Sequence, residues 1–324
     1  MADVPIFPPP PDVPPTQRAQ GDVPLRYEDI SQDGRVKLLA LPQTIGAIVW
    51  QHALRPSAIV AAQHSGIVPI LTRFVMEGGG GPVSVRKPLS AEGRYALYHT
   101  VDGKDEVNRL ILNIWIDVAA PLGRTHGPPP PRAGEKVRVG RCFAEHVFTR
   151  PFGDEHHRKV LRFEYEGLPP VPPSRWTWRR PDEVLALPVG ARALDAEPVA
   201  DAAPCLFGLT HTDSNQHVNS LVYPRLFEEA ALRRLAAHGH SLSLLASECE
   251  VAYRKPCFAG DRMRIVVRAF ETTDGVAGAV GAFVSDADPI TRGAEALRPA
   301  EQSSTWPHPP LAAKPHCMLR MLFS

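Results

Sequence analysis

Apolar and polar residues alternate along most of the chain with the two-residue period of half-buried strands. The stretch MRIVVRAF, for example, places Met263, Ile265 and Val267 on one side, with more polar neighbours between them. β-Branched and aromatic residues between turn signals predict strands in both halves of the chain. These strands cover residues 67–76, 82–88, 94–100, 107–118, 135–147, 159–165, 245–253, 262–270 and 276–284.

Two segments break this pattern and predict helices. One is LPQTIGAIVWQHAL at residues 41–54, and the other is LVYPRLFEEAALRRLAA at residues 221–237. In the second, apolar residues recur at helical spacing, and Arg233 and Arg234 lie near the C-terminal end, where cations suit the helix dipole. Each half therefore has one long helix followed by antiparallel strands, which predicts an α+β fold with a sheet wrapped around a central helix in each half.

The two halves align as an internal repeat of low identity when Pro42 is set over Pro224. Both copies then read as a polar turn, a short strand, a proline and a helix. The aligned turn residues are Ser31 with Asp213, Asp33 with Asn215, Arg35 with His217 and Val36 with Val218. If this alignment holds, the first copy keeps the scaffold and lacks the polar set of the second.

Proline clusters divide the chain. The 35 prolines among 324 residues are roughly twice the usual share of about 5%. They predict a disordered arm at residues 1–22 and a linker at residues 167–203, on either side of a first domain at residues 23–166. The second domain covers residues 204–288. We expect a loosely ordered tail at residues 289–324, with room for one edge strand at residues 294–306.

Charge and cysteine content exclude several classes of protein. Lys and Arg (36) balance Asp and Glu (35), which argues against a nucleic-acid-binding surface. No window of the sequence approaches a membrane span, and MADVPIFPPPPDVPP lacks the features of a signal peptide. The five cysteines never occur as CxxC, so we expect no metal site, no disulfide framework and a cytoplasmic protein.

The polar run before the second helix, HTDSNQHVNS at residues 211–220, is the strongest chemical signal. Asp213, Asn215 and His217 are spaced two apart, so in an extended or loosely turned segment they share one face. His217 or Asp213 could take a proton from water, and Asn215 could hold the water or a carbonyl. The helix N-terminus offers amide hydrogens to an oxyanion. Helix capping explains the same residue types without any chemistry.

The run from Asp213 to Ser220, followed by Tyr223, resembles the D-x-N-x-H-V-N-N signature of hotdog-fold thioesterases, especially acyl-ACP thioesterases. This resemblance implies that Asp213, Asn215 and His217 are catalytic and that Asn219 matches the first Asn of the closing pair. It also implies a double hotdog fold, an acyl-ACP or acyl-CoA substrate in fatty acid or polyketide metabolism, and no cofactor. A homodimer of double hotdogs is compatible with it.

A second segment, AYRKPC at residues 252–257, resembles the E-Y-R-R-E-C stretch of the same family. Cys257 lies where that family has a cysteine, but Pro256 replaces the acidic neighbour. Glu248 or Glu250 could substitute for that acid, or nothing does. The secondary site candidates are therefore Glu250, Cys257, Glu228 on the central helix, and Asn219.

Two other functions compete with thioester hydrolysis. Hotdog dehydratases usually carry D-x-N-P-x-H, whereas Gln216 and His217 follow Asn215 directly here. A non-catalytic hotdog protein that binds an acyl ligand or a partner is the third interpretation, and the Pro-rich arm, a typical peptide ligand, favours it.

Overall fold

The computed structural model describes residues 6–154, 157–285 and 315–324. The chain divides into two compact units. Unit 1 contains Met1–Arg180 with Leu245–Glu250, and unit 2 contains Pro181–Leu244 with Val251–Ser324. The linker predicted at 167–203 is thus not a separate segment, because its first part belongs to unit 1 and the rest to unit 2.

Unit 1 is built on an antiparallel sheet with the strand order β1-β3-β4-β5-β2. Its segment Leu245–Glu250 supplies the first residues of β9 (Ala246–Tyr253). The remaining elements in chain order are β1 (Arg18–Val23), a π-helix (Ile45–Leu54), α1 (Ala58–His64), β2 (Val68–Gly78), β3 (Leu89–Val101), β4 (Val107–Pro121) and β5 (Lys136–Thr149).

Unit 2 has the antiparallel strand order β12-β11-β10, and three two-residue strands pair with the other edge of β10. It also holds the last residues of β9. Its elements are β6 (Arg192–Ala193), β7 (Val199–Ala200), β8 (Cys205–Leu206), α2 (Val222–Ala237), β10 (Arg262–Glu271), β11 (Ala277–Ser285) and β12 (Cys317–Phe323).

In each unit the long helix packs closely on its sheet, and a strand glycine makes the contact. A Cβ atom at Gly93 in β3 would lie 2.3 Å from Val49 of the π-helix. A Cβ atom at Gly281 in β11 would lie 2.6 Å from Phe227 of α2. Real Cβ atoms do not approach this closely, so glycine is required at both positions. One helix against an antiparallel sheet in each unit confirms the predicted α+β double hotdog.

The internal repeat is confirmed by backbone hydrogen bonds within each unit. Short 3₁₀ turns, Tyr27–Asp29 and Leu209–His211, precede the aligned polar turns. The isolated bridge Ile30↔Val36 in unit 1 corresponds to Thr212↔Val218 in unit 2. The Lys37 amide donates to the Asp29 carbonyl at 2.9 Å, and the aligned Asn219 amide donates to the His211 carbonyl at 2.8 Å.

The prediction of a disordered arm at 1–22 was wrong for residues 6–22. Residues 18–23 form β1, and the residues before them cover a face of the unit 1 sheet. The Trp115 indole N–H donates to the Pro8 carbonyl at 3.0 Å, and Ile6, Phe7 and Val13 pack against buried aromatic residues of the sheet. Proline-rich chain forms few internal hydrogen bonds, but its apolar residues are buried here by the sheet. Residues 1–5 lie outside the described residues.

Deleting residues 1–13 should lower the stability of unit 1. The deletion leaves the buried Trp115 N–H without its acceptor and exposes the apolar face under Phe7 and Val13, so we expect a loss of about 3 kcal/mol or more. Thermal unfolding and binding of a hydrophobic dye measure this. Asp12→Ala, which removes only an exposed ion pair with Arg18, is the control and should change little. An unchanged melting temperature for the deletion would show that the arm is dispensable.

The predicted loosely ordered tail also contains a strand. β12 pairs with β11 from Phe283↔Cys317 to Gly278↔Leu322 and is almost wholly buried. The CMLRMLF sequence is apolar enough for a buried strand. Because it is apolar throughout, it lacks the two-residue alternation that predicts half-buried strands. The edge strand proposed at 294–306 lies outside the described residues.

Two strand predictions were wrong. In 82–88 only Val83 pairs, in an isolated bridge with Leu122, because prolines 82 and 88 have no amide hydrogen for a ladder. In 159–165 only Lys159 pairs, with Thr149. The apolar residues of this second segment pack as a loop, since the Phe163 ring lies 4.8 Å from that of Phe148, edge to face. The other predicted strands are confirmed, with small shifts at their ends.

Candidate functional site

The polar run of unit 2 folds into a tight turn immediately before α2. The bridge Thr212↔Val218 closes the turn, and the Gln216 amide donates to the Asp213 carbonyl at 2.9 Å. Gln216 has a φ of 64°, a left-handed conformation that most residues avoid. In unit 1 a glycine, Gly34, occupies the aligned position with a φ of 88°.

Asp213 organises this turn through both of its carboxylate oxygens. Oδ1 accepts the Asn215 backbone N–H at 2.8 Å, and Oδ2 accepts the Asn219 side-chain amide at 2.9 Å. The Asn219 oxygen in turn accepts the Leu221 N–H at 2.9 Å, at the start of α2. Asp213 and Asn219 therefore connect the turn to the residue before α2, a role close to that of a cap, although the N-cap residue Leu221 has no side-chain cap hydrogen bond of its own.

His217 lies half-buried at the end of the turn. Its Nδ1 is 3.1 Å from the Val218 carbonyl oxygen. Because a carbonyl only accepts, this contact favours the tautomer with the proton on Nδ1, and it leaves the lone pair on Nε2. The arrangement suits a general base.

Asn215 is exposed at the tip of the turn, whereas Asp213 and His217 are half-buried. The two-residue spacing predicts that the three side chains share one face if the segment is extended or loosely turned. The turn is tight, and Gln216 has a positive φ. The alternation of side chains between two faces, as in a strand, therefore does not apply to it. Among the residues that the structure describes, Asp213 and His217 make side-chain hydrogen bonds within this turn.

Changing Asp213 to Asn should reduce stability modestly. The new amide group would face the amide of Asn219 or lose the acceptor for the Asn215 N–H, so we expect about 1–2 kcal/mol, the scale of a lost cap. Chemical denaturation of the wild type and the variant measures this difference. Ser214→Ala, at an exposed neighbouring position, is the control. Equal stability for Asp213→Asn and the wild type would contradict the capping role.

Cys257 is a buried residue beside the turn. Its carbonyl accepts the Val218 N–H at 2.8 Å, and its own N–H donates to the Tyr223 hydroxyl at 3.2 Å. Burial raises the pKa of the Cys257 thiol, which reduces the thiolate available as a nucleophile. Its sulfur lies 3.2 Å from Nδ1 of His316, a residue that the sequence analysis did not select.

Glu250, a secondary site candidate from the sequence, has ion-pair partners of its own in unit 1. It belongs to unit 1, is fully buried, and pairs with Arg73 at 2.7 Å and Arg179 at 3.4 Å. Two guanidinium groups around one carboxylate are typical of a structural ion pair. Glu248 is half-buried on the unit 1 part of β9, and Glu228 is half-buried on α2.

Tyr253 is a second contact that the sequence analysis missed. Its hydroxyl donates to the Ser220 carbonyl at 2.9 Å, just before α2. Together with Tyr223 it fixes the segment between the turn and the helix. A single sequence does not predict this hydrogen bond, because Ser220 lies 33 residues away along the chain. From the sequence, a tyrosine in a strand indicates only core packing.

Metal and membrane sites receive no support from the described residues. Within 6–154, 157–285 and 315–324, no group of three or more His, Cys, Asp or Glu side chains could hold a metal ion. In the same part of the chain, none of the helices has the length and apolar character needed to cross a bilayer.

Comparisons with known proteins address the family. Residues 207–298, which include the turn and α2, match the family model described as the thioesterase-like superfamily. This segment is thioesterase-like. The match confirms the resemblance noted from the D-x-N-x-H run. No curated protein sequence matches the chain.

Solved structures similar to this chain support the fold. One, described as a putative oleoyl thioesterase from Lactobacillus plantarum, is 12% identical with a TM-score of 0.53, covering 95% of each chain. Another, the 12:0-ACP thioesterase from Umbellularia californica, is 11% identical with a TM-score of 0.54, covering 95% of this chain and 94% of the other. At these identities the likeness concerns the fold alone.

Proposed function

We propose that the chain is an acyl thioester hydrolase that releases a carboxylic acid from acyl-ACP or acyl-CoA. The observation that carries this proposal is the position of His217, at the end of a rigid turn inside the thioesterase-like segment, with Nδ1 against the Val218 carbonyl. A thioester suits a site with a single base, because its thiolate leaving group needs little assistance from an acid.

His217 takes the proton from the attacking water in this proposal. Asp213 does not, since both of its oxygens already accept hydrogen bonds from Asn215 and Asn219. The exposed amide of Asn215 is free to bind the water or the thioester carbonyl in its approach to the turn. A positioned base of this kind contributes on the order of a hundred- to ten-thousand-fold in rate.

The start of α2 supplies less to an oxyanion than the sequence suggested. The Leu221 N–H donates to the Asn219 side chain, and the Val222 N–H donates to the Asn219 carbonyl at 3.0 Å. Pro224 has no amide hydrogen. Within the part of the chain that the structure describes, the Tyr223 N–H is the one amide of the first helical turn left to donate, so the Asn215 amide is the more important donor in this proposal.

A panel of acyl thioesters with free thiol as the readout tests the proposal. Acyl-CoA and acyl-ACP substrates of increasing chain length should show cleavage that saturates with substrate, and the preferred carrier follows from the ratio of kcat/KM values. If no thioester in the panel is cleaved but an acyl chain binds, the non-catalytic interpretation replaces the hydrolase. Dehydration of 3-hydroxyacyl thioesters would instead favour a dehydratase.

The proposed site occurs once per chain. In the aligned turn of unit 1, Arg35 replaces His217, and its guanidinium is paired with Asp33 at 2.6 Å. That turn has no neutral base. A tight, unreactive thioester analogue should therefore saturate the proposed site at one per chain, and two equal sites would contradict the assignment.

A further inference from the structure

A serine and a histidine meet in unit 2 outside the turn just described. Ser285 ends β11 and is exposed, and His316 precedes β12 and is only 5% exposed. The Ser285 hydroxyl oxygen lies 3.0 Å from Nε2 of His316. A nucleophile within hydrogen-bonding distance of a base is the usual arrangement for covalent catalysis.

The backbone holds His316 in place from two sides. Its N–H donates to the carbonyl of Phe283 in β11 at 2.9 Å. Its carbonyl accepts the Arg254 N–H at 2.9 Å and the Lys255 N–H at 3.1 Å. Because these bonds anchor the residue to both neighbouring segments, the imidazole is positioned before any ligand binds.

The other ring nitrogen of His316 faces a thiol. Nδ1 lies 3.2 Å from the Cys257 sulfur. A histidine that carries its proton on Nδ1, toward this sulfur, has its lone pair on Nε2, toward Ser285. In this tautomer the serine hydroxyl is the donor in the 3.0 Å contact, as a general base requires.

We propose that Ser285 and His316 form a second hydrolytic site, with Ser285 as the nucleophile and His316 as the base, that takes carboxylic ester substrates. This site is independent of the water-activating turn at His217. It differs in mechanism as well, since it forms a covalent acyl-serine.

The reaction balances with water as the only co-reactant. The Ser285 oxygen bonds to the acyl carbon while its proton moves to Nε2 of His316. The bond from the acyl carbon to the alkoxide breaks, and the leaving group takes the proton from His316. Water then attacks the acyl-serine, giving its proton to His316. The serine regains a proton from His316 as the carboxylic acid leaves.

Burial and the nearby charge of Lys255 keep the His316 imidazole neutral. Burial lowers the pKa of His316, and nearby Lys255 lowers it further, while the Pro256 carbonyl and Asp261 act in the opposite direction. The net pKa lies below the ordinary value for histidine, so the base is unprotonated at neutral pH. Since only the neutral form accepts the serine proton, reaction at Ser285 should fall as pH drops below the usual histidine range. The neighbouring Cys257 thiol is neutral at these pH values, because burial raises its pKa.

Labelling with an alkyl fluorophosphonate tests the proposal. The Ser285 oxygen displaces fluoride from phosphorus, and peptide mass spectrometry locates the adduct. We expect one label per chain, on Ser285. Ser285→Ala should abolish the label, and His316→Gln should slow labelling about a hundredfold or more. Ser241→Ala, at another exposed serine, is the matched control and should label like the wild type.

Two further measurements keep the test decisive. If His316→Gln does not fold, the pH dependence of wild-type labelling replaces it, and a rate that stays constant down to the lowest pH at which the protein remains folded would overturn the role of His316. His217→Ala should label normally, which separates this site from the proposed thioesterase turn. An absent label, or a label on another serine, would show that Ser285 is not a nucleophile.

Discussion

Replacing His217 by alanine should lower thioester turnover about a hundredfold or more and leave the fold intact. The side chain is the base in the proposed reaction, and losing a general base costs on the order of a hundred- to ten-thousand-fold in rate. His217 is half-buried in a turn, and its ring has one hydrogen-bond contact among the described residues, to the Val218 carbonyl, so stability should change by no more than about 1–2 kcal/mol. Steady-state kinetics with free thiol as readout, beside thermal unfolding, measures both effects.

The repeat provides a matched control for this variant. Arg35→Ala changes the aligned residue of the unit 1 turn, where the side chain pairs with Asp33, and should leave kcat close to that of the wild type. His217→Gln keeps a polar side chain without a base and should be as inactive as His217→Ala. If His217→Ala retains full turnover, water activation at this turn is wrong.

Replacing Glu250 by alanine should strongly destabilise unit 1. The change leaves Arg73, which is only 4% exposed, without its 2.7 Å carboxylate partner. Removing one member of a buried ion pair costs roughly 3–5 kcal/mol, because the remaining charge stays buried. At about 2–4 °C per kcal/mol, the melting temperature should fall by roughly 10 °C. Differential scanning calorimetry measures this shift.

A double variant separates the lost pair from the lost carboxylate. Arg73→Met with Glu250→Leu removes both charges of the 2.7 Å pair and fills the volume with apolar atoms. Because Arg179 still loses this carboxylate, the double variant should recover part of the stability that Glu250→Ala loses. Glu77→Ala, which removes a partly exposed pair with Arg141, is the surface control and should cost far less. A Glu250→Ala protein that melts normally but lacks activity would restore Glu250 as a catalytic acid.

The fold was largely predictable because its signals are local. The helix predicted at 221–237 is α2, Val222–Ala237, and the strand predicted at 262–270 is β10, Arg262–Glu271. The repeat was also detectable, since equal spacing of turn, proline and helix imposes equal backbone hydrogen bonds, such as those of Lys37 and Asn219. Errors concentrated where proline or apolar composition was taken for disorder or strand, as at residues 6–22 and 82–88.

The candidate site was predictable only in part. The motif identifies Asp213, Asn215 and His217. The two-residue spacing, however, carries no signal for the left-handed backbone conformation of Gln216. The spacing therefore does not predict that both carboxylate oxygens of Asp213 accept hydrogen bonds, one from Asn215 and one from Asn219. From the sequence, Glu250 is a candidate for the acid that Pro256 replaces, because it lies seven residues before Cys257. In the structure it forms a buried ion pair with Arg73, which gives it a structural role.

The sequence by itself determined the class of fold, the two long helices, the repeat and the turn that carries His217, because each of these depends on residues close together along the chain. Only the tertiary structure decided which polar groups are partners. Arg73 and Glu250 are 177 residues apart, and Cys257 and His316 are 59 apart. Such contacts follow from strand pairing and burial, and their energies arise only when the sheet removes both groups from water. A single sequence contains no periodic signal for them.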